Sequence, residues 1–318
     1  MKLIIQITCF NEELTLPSTI RDLPTALPGI TTIEYLVVDD GSTDGTSDVA
    51  KRLGVHHIVR LRRQQGLAQA FAFGMDKALR CGADILVHTD GDNQYCGHDI
   101  VHLVQPILEG KADLVVGDRR VKSIAHFSPL KKQLQALGSW VVRVSSGTTV
   151  PDATSGFRAI SREAALRMNI LSDFSYTLDM LIQAGRSNMA VVSVPIRTNS
   201  PLRPSHLFRS TRHFVLRQTA TIIRVLITYA PLRFFGIMAL IPTVIGTLIG
   251  VKFVYHYFSG QGQGHIQSLI LASILLTLGF QLGALGLLAH LTSVNRKMLD
   301  RALYRIRRDE TREHDGIR

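Results

Sequence analysis

Two short stretches of the chain place carboxylates where an apolar run ends. One is "LVHTDGDNQY" (86–95), with Asp90 and Asp92 on either side of Gly91, and the other is "VVDDGSTDGT" (37–46), with Asp39 and Asp40. Along extended backbone the side chains at i, i+2 and i+4 point the same way, so Asp90, Asp92 and Gln94 would converge through oxygen on one hard cation. Magnesium or manganese held there would neutralise a diphosphate and stabilise it as it leaves. Gly91, with no side chain, would let a bulky ligand approach the main chain. A lone Asp-x-Asp suits an ordinary surface turn equally well, so the elements around it must decide.

Those elements read as an α/β sandwich around a largely parallel sheet from Met1 to about Val194. The candidate strands are "LIIQIT", "EYLVVD", "HHIVRL", "DILVHT", "DLVVG" and "AVVSVPI". Between them, stretches such as "GLAQAFAFGMDKALRCG" carry apolar residues at helical spacing and end on glycine. In a parallel sheet both acidic stretches emerge at the same carboxyl edge, where α/β folds bind ligands. The region from Asp118 to Pro151 is less regular and reads as an excursion from the sheet, with a helical "SPLKKQLQALGSWVVRVSSG" in its middle. Excursions of that kind often form binding surfaces.

The 318 residues carry a net charge of +11, which alone would suit nucleic acid or an acidic membrane surface. The position of the basic residues decides for the membrane. "FFGIMALIPTVIGTLIGVKFVYHYF" (234–258) and "SLILASILLTLGFQLGALGLLAHL" (268–291) are each long enough to span a bilayer core. Arg209, Arg212, Arg217, Arg224 and Arg233 precede the first run; Arg296, Lys297, Arg301, Arg305, Arg307 and Arg308 follow the second. The linker between them has no Lys or Arg, so the positive-inside rule puts both termini and the α/β domain in the cytoplasm. On a helical wheel for residues 206–226 the arginines share an arc opposite Leu207, Phe214, Val215, Ile222 and Val225, as in a helix lying in the membrane interface. The expected organisation is therefore a domain at 1–200, an amphipathic segment at 201–233, a hairpin at 234–295 and a basic tail at 296–318. Gly279 and Gly283 form a GxxxG pattern that would let helices approach closely. Three scattered cysteines, Cys9, Cys81 and Cys96, indicate no disulfide framework and suit a reducing compartment. The apolar N-terminus is too short for a signal peptide and reads as the first strand.

Taken in order, "FNEE" at the end of strand one, "DDGSTDGT", the Asp-x-Asp-x-Gln of "DGDNQ" and "SGFRA" (155–159) resemble the family 2 glycosyltransferases over nearly all of residues 1–197. Within that family the chain is similar to polyprenyl-phosphate sugar transferases of the dolichyl-phosphate mannose synthase type, some of which carry a membrane hairpin. The resemblance implies a glycosyltransferase A-type fold, a nucleotide-sugar donor (UDP- or GDP-linked), a polyprenyl phosphate acceptor, and Mg²⁺ or Mn²⁺. Carried over by residue, it puts Thr8, Phe10, Asn11 and Glu12 at the nucleotide, with Glu12 at the base or ribose. Asp40 then holds the nucleoside and Asp39 plays a structural part. Asp90, Asp92 and Gln94 are the implied metal ligands, with Asp92 the residue whose loss should abolish catalysis. Arg119, in "VVGDRR", and Lys131 or Lys132 are implied near the acceptor phosphate, and Arg158, in "SGFR", near the donor or acceptor phosphates. Two departures stand out. "RQQGLAQAF" keeps Gly66 but has no Lys where relatives have Asn-x-Gly-Lys-Gly, and "RPSHLF" makes Arg203 and His206 weaker transfers.

A phosphate acceptor needs aiming and desolvation rather than a general base, because it is already anionic near neutral pH. Transfer to a hydroxyl acceptor would need a carboxylate base, for which Asp173 and Asp179 are candidates. A processive polymerase would carry a Gln-x-x-Arg-Trp motif, which Trp140 does not supply. A noncatalytic scaffold would not need Asp90, Asp92 and Gln94. His98 and His102, at i and i+4 near Cys96, have zinc-ligand spacing but also suit the polar face of a helix. Nucleic acid is not an expected partner, and self-assembly through the spans is left open.

Overall fold

The structure is a computed structural model that describes residues 1–120, 143, 146–170, 176–200, 220, 223–224, 226–259 and 266–316. The chain divides into two compact units, one of Met1–Gln218 with Asp300–Arg318, the other of Thr219–Leu299.

The first unit is built on a seven-stranded sheet. Strand β1 (Lys2–Cys9) is buried at every position but its first, the pattern of a strand covered on both faces. It pairs in parallel with β2 (Thr32–Asp39) on one side and β4 (Ile85–Asp90) on the other, and β2 pairs in parallel with β3 (His57–Arg60). Beyond β4 lie β6 (Arg158–Ser161), β5 (Leu114–Asp118) and β7 (Val191–Pro195), giving the order β3-β2-β1-β4-β6-β5-β7. The six expected strands are all present. β6 is the strand that the sequence pattern did not give: four residues within "SGFRAIS", antiparallel to both β4 and β5.

Helices α1 (Leu16–Asp22), α2 (Thr46–Arg52), α3 (Leu67–Arg80), α4 (Ile100–Leu108), α5 (Arg162–Arg167) and α6 (Tyr176–Arg186) accompany the sheet. α3 shows why the pattern folds this way. Ala70, Phe71, Gly74, Met75, Ala78 and Leu79 recur at helical spacing and are buried. Burying a side chain such as Phe71 contributes about 2–3 kcal/mol. α5 starts where Ser161 Oγ accepts the Ala164 N–H, an N-cap worth about 1 kcal/mol.

The strand order reverses between β1 and β4: β2 and β3 continue on one side of β1, and the later strands on the other. At such a switch point the loops leaving the two strands diverge and open a crevice at their carboxyl ends. Here those loops carry Phe10–Glu12 and Gly91–Gln94.

In the second unit, α7 (Pro231–Phe258) and α8 (Ile266–Gly316) are each long and apolar enough to cross a membrane. Many of their large apolar side chains are exposed, among them Ile237, Leu240, Leu248, Ile274 and Leu287. Small residues line their contact: a Cβ at Gly246 would meet Leu275 and Ala272, and one at Gly286 would meet Phe235. Of the GxxxG pair, Gly279 abuts Thr243 whereas Gly283 has nothing within 4 Å. α8 continues unbroken beyond the apolar stretch, where a separate tail was expected. From Asp300 onward it belongs to the first unit: Tyr304 Oη donates to Glu163 at 2.8 Å and Arg307 donates to the Met168 carbonyl at 2.7 Å. Most of the amphipathic segment, including Arg203, His206, Arg209, Arg212 and Arg217, lies outside the described residues, as do Lys131, Lys132, Trp140 and Asp173.

Candidate active site at the carboxyl edge of the sheet

The loop after β1 is tied to the loop after β2. Asn11 takes a left-handed conformation, φ 56°, which Asn tolerates better than most residues. Its N–H donates to Ser42 Oγ at 2.9 Å and its Oδ1 accepts the Thr43 N–H at 2.9 Å. Glu12 is buried; its N–H donates to Thr46 Oγ1 and its carboxylate accepts the Thr15 hydroxyl. Phe10 is half-buried beside it. Thr8, expected at the nucleotide, lies within the sheet at 6% exposure. Its carbonyl accepts the Gly91 N–H at 3.0 Å, so its backbone ties the β4 loop to β1.

The two aspartates after β2 are both structural in their contacts. Asp39 is fully buried and accepts the Ser42 N–H at 2.8 Å and the Ser47 hydroxyl. Asp40, expected to hold the nucleoside, accepts the N–H groups of Gln65 (2.7 Å) and Gly66 (2.8 Å), which fixes the turn before α3. Gly41 closes the same corner at φ 72°, with its α-carbon against the backbone of Arg63 and Gln64, where no side chain fits.

At the end of β4 the backbone does not stay extended. Asn93 is left-handed at φ 56°, and Asp92 accepts the Gln94 N–H at 3.1 Å, as in an Asx turn. The strand itself ends at Asp90 and Gly91–Asp92 form the turn, so the i, i+2, i+4 argument holds for neither Asp92 nor Gln94. Gln94 is exposed, and alternation gives no reason to count it with the two aspartates. Gly91 also has a different purpose from the one expected: a Cβ there would meet Cys9 Sγ at 2.7 Å and the Thr8 carbonyl at 3.1 Å, so it is small to pack against β1 rather than to admit a ligand. The 94–96 segment is held from outside by residues 197–199. Asn199 N–H donates to the Gln94 carbonyl, Cys96 N–H to the Arg197 carbonyl, and Arg197 forms a bidentate pair with Asp99.

Among the carboxylates of Glu12, Glu13, Asp39, Asp40, Asp44, Asp90 and Asp92, only that of Asp90 has no hydrogen-bond donor among the described residues. Its side chain is 27% exposed, and His88 Nε2 stands 3.6 Å from Asp90 Oδ1. Asp92 is also partly exposed. Two accessible carboxylates offer the hard oxygen donors that Mg²⁺ or Mn²⁺ prefers, in the number usual where the remaining positions go to water and phosphate oxygens. No cluster of three or more His, Cys, Asp or Glu with metal-binding geometry occurs among the described residues, which leaves the zinc reading of Cys96, His98 and His102 without support.

Both arginines expected at phosphates have protein partners. Arg158 is fully buried, and its guanidinium donates to the carbonyls of Ser155 (2.8 Å), Thr177 (2.7 Å) and Ala153 (2.8 Å). Burial pulls its pKa down to about 10. Through these bonds it ties the 153–155 loop to the start of α6. Arg119, largely buried at the end of β5, forks onto Asp152 at 2.7 and 3.0 Å and reaches Thr154 at 2.8 Å. Burial opposes ionisation of both partners, yet the pairing prevails: Arg119 is raised above the ordinary arginine range and Asp152 lowered below the ordinary carboxylate range. Asp152 was not singled out from the sequence; its only signal is the run "PDATSGFR". Asp179, the candidate base for a hydroxyl acceptor, is buried on α6.

The Glycosyl transferase family 2 profile matches residues 4–167, just over half of the chain, and takes in Asn11, Glu12, Asp40, Asp90, Asp92, Arg119 and Arg158. The chain belongs to glycosyl transferase family 2. Among its relatives are the undecaprenyl-phosphate mannosyltransferase of Micrococcus luteus, 29% identical over 62% of this chain and 83% of that protein, and the UDP-N-acetylglucosamine–dolichyl-phosphate N-acetylglucosaminyltransferase of Methanococcus voltae, 30% identical over 60% and 83%. The solved structure of glucosyl-3-phosphoglycerate synthase from Mycobacterium tuberculosis, in complex with Mn²⁺, UDP-glucose and phosphoglyceric acid, has the same fold at TM-score 0.53 and 20% identity, over 72% of this chain and 79% of that one. The glycosyltransferase A-type fold expected from the motifs is thus the fold of this family 2 enzyme.

Proposed function

We propose that this family 2 glycosyltransferase transfers a sugar, with inversion, from a UDP- or GDP-linked donor to a polyprenyl phosphate at the cytoplasmic face of a membrane. The observation that carries the reading is Asp90: an accessible carboxylate with no donor among the described residues, two positions from Asp92, at the switch point of the sheet. Asp90 and Asp92 would hold Mg²⁺ or Mn²⁺, which when bound neutralises charge on the departing nucleoside diphosphate. Asn11 and Glu12 stand where the nucleoside would lie, and Asp40 supports that pocket through the turn before α3. The acceptor's phosphate oxygen attacks the anomeric carbon from the face opposite the diphosphate, so the new bond forms as the old one breaks. That oxygen is anionic near neutral pH and needs no general base. The burial of Asp179 fits this better than a hydroxyl acceptor does.

The similarity to polyprenyl-phosphate transferases supports the acceptor class, and the two apolar helices support membrane residence. The arginines flanking them support the cytoplasmic orientation. The test supplies the full chain in detergent with polyprenyl phosphate, Mn²⁺ and a panel of UDP- and GDP-sugars, and looks for a singly glycosylated lipid. No lipid-linked product from any donor, with transfer to a hydroxyl acceptor instead, would overturn the acceptor assignment.

A further inference from the structure

The polar atoms that the protein buries without a partner gather at one place. Among the described residues they are Gln6 Oε1, Thr8 Oγ1, both ring nitrogens of His88, Ser155 Oγ and the Tyr176 hydroxyl. In the parallel pairing of β1 and β4, Gln6 is opposite His88 and Thr8 opposite Asp90. Alternation then puts all four on one face, directly beneath the exposed end of Asp90. His88 is fully buried there, edge-on to Phe71 of α3 (5.0 Å) and to Tyr176 of α6 (5.3 Å), while Phe71 and Tyr176 stack at 4.3 Å.

A buried polar group without a partner costs about 1–3 kcal/mol, and phenylalanine would fill either ring position without that cost. Groups kept in such a place point to a partner that the folded chain alone does not supply. Two of these residues, Tyr176 and His88, come close to Asp90. The position a Cβ would take on Gly156 is 2.9 Å from Tyr176 Oη, 3.3 Å from Asp90 Oδ2 and 3.4 Å from Tyr95 Oη. The Tyr95 hydroxyl is already engaged by the Gly156 N–H at 3.0 Å. His88 Nε2 stands 3.6 Å from the other carboxylate oxygen, just beyond hydrogen-bond reach.

We propose that Tyr176 and His88 are positioning residues for Asp90, a buried polar socket that turns its carboxylate toward a divalent cation and holds it there once the cation is bound. The inference rests on the metal-dependent reading above. The ring contacts fix the two side chains, so that only a small movement of Asp90 is needed to bring its oxygens onto them. Outer groups of this kind orient ligands and raise affinity, and losing one commonly weakens metal binding about 10-fold or more.

The test uses the full chain in detergent and titrates Mn²⁺ in the presence of UDP or GDP, followed by electron paramagnetic resonance, alongside the melting temperature of the ligand-free protein. Tyr176→Phe and His88→Phe keep the ring packing and remove only the polar atoms. Each is expected to weaken Mn²⁺ binding about 10-fold, while the ligand-free melting temperature stays the same or rises. A merely structural pair would show the opposite, a lower melting temperature with Mn²⁺ affinity unmoved, and that result overturns the proposal. If the unaltered chain binds no Mn²⁺ with either nucleotide, the metal-dependent reading fails and this one with it. If it binds and both variants match it, only the positioning role is lost.

Discussion

Arg158 distinguishes a structural arginine from a phosphate ligand, and its replacement can be worked through in numbers. In Arg158→Ala the carbonyls of Ala153, Ser155 and Thr177 lose their donor inside a region closed to water. Each orphaned carbonyl costs about 1–3 kcal/mol, so three cost about 3–9 kcal/mol before relaxation. Removing a buried charge returns part of this, and a net loss of about 4 kcal/mol is expected, a large fraction of the 5–15 kcal/mol that stabilises a typical domain. At about 2–4 °C per kcal/mol for a unit of this size, the melting temperature falls by roughly 10 °C. Arg158→Lys keeps one donor group and loses about half as much. Thermal unfolding followed by circular dichroism reads the stability, and steady-state transfer below the transition reads the function. The residual folded protein should show an unchanged KM for donor and acceptor. The reasoning is refuted if Arg158→Lys melts with the unaltered protein while the KM for either phosphate-bearing substrate rises, because the guanidinium would then be facing a substrate.

Three further outcomes follow from the geometry. Asp92→Asn should reduce transfer by at least about 100-fold, the scale set by losing one stabilising group at a developing charge, with no change in melting temperature; substantial activity in the folded variant would sink the assignment of Asp92 to the metal. Gly156→Ala forces a methyl group onto the Tyr176 hydroxyl and toward Asp90 Oδ2, so Mn²⁺ affinity should drop more than stability does, and a variant with unaltered Mn²⁺ binding would contradict the crowding at Asp90. The Asp152 carboxylate is held below its ordinary pKa by Arg119, so its contribution is fully present above the unfolded value of about 3.9 and is lost as pH falls through the lower folded value. Asp152→Asn should therefore lower the melting temperature at pH 6 and flatten its decline toward pH 3, and parallel declines in the two proteins would count against the pair.

The strands were legible because each is rich in β-branched and aliphatic residues and bounded by turn signals, and β1 is largely apolar along its length, as strands covered on both faces are. β6 was not, for a physical reason. Four residues, Arg158–Ser161, give too short a run to show a period, and the strand opens on an arginine that reads as a surface charge until the surrounding carbonyls are known. The extension of α8 past its apolar stretch was equally hidden. Periodicity can report that charged residues follow a span, but not that Tyr304 and Arg307 find partners at Glu163 and Met168.

At the site, sequence identified which residue types assemble but not which way each one faces. Asp39, Asp40, Asp90 and Asp92 look alike as carboxylates at strand ends, and only the donors around them separate the three that accept protein N–H groups from Asp90, which accepts none among the described residues. The same holds for "SGFR". Its arginine ties the 153–155 loop to α6 through two loop carbonyls and that of Thr177, and its glycine leaves room for Tyr176, Tyr95 and Asp90 to meet. The contacts of the motif are therefore with protein groups next to Asp90, the proposed metal ligand. His88, two residues before Asp90, carried the available signal: a histidine that follows the apolar Ile85–Val87 in a buried strand, on the aspartate's own face, is costly to bury and needs a reason to be there. Where a buried strand approaches a ligand edge, the polar residue at i−2 to a candidate carboxylate is thus worth reading together with it, since alternation guarantees that the two share a face.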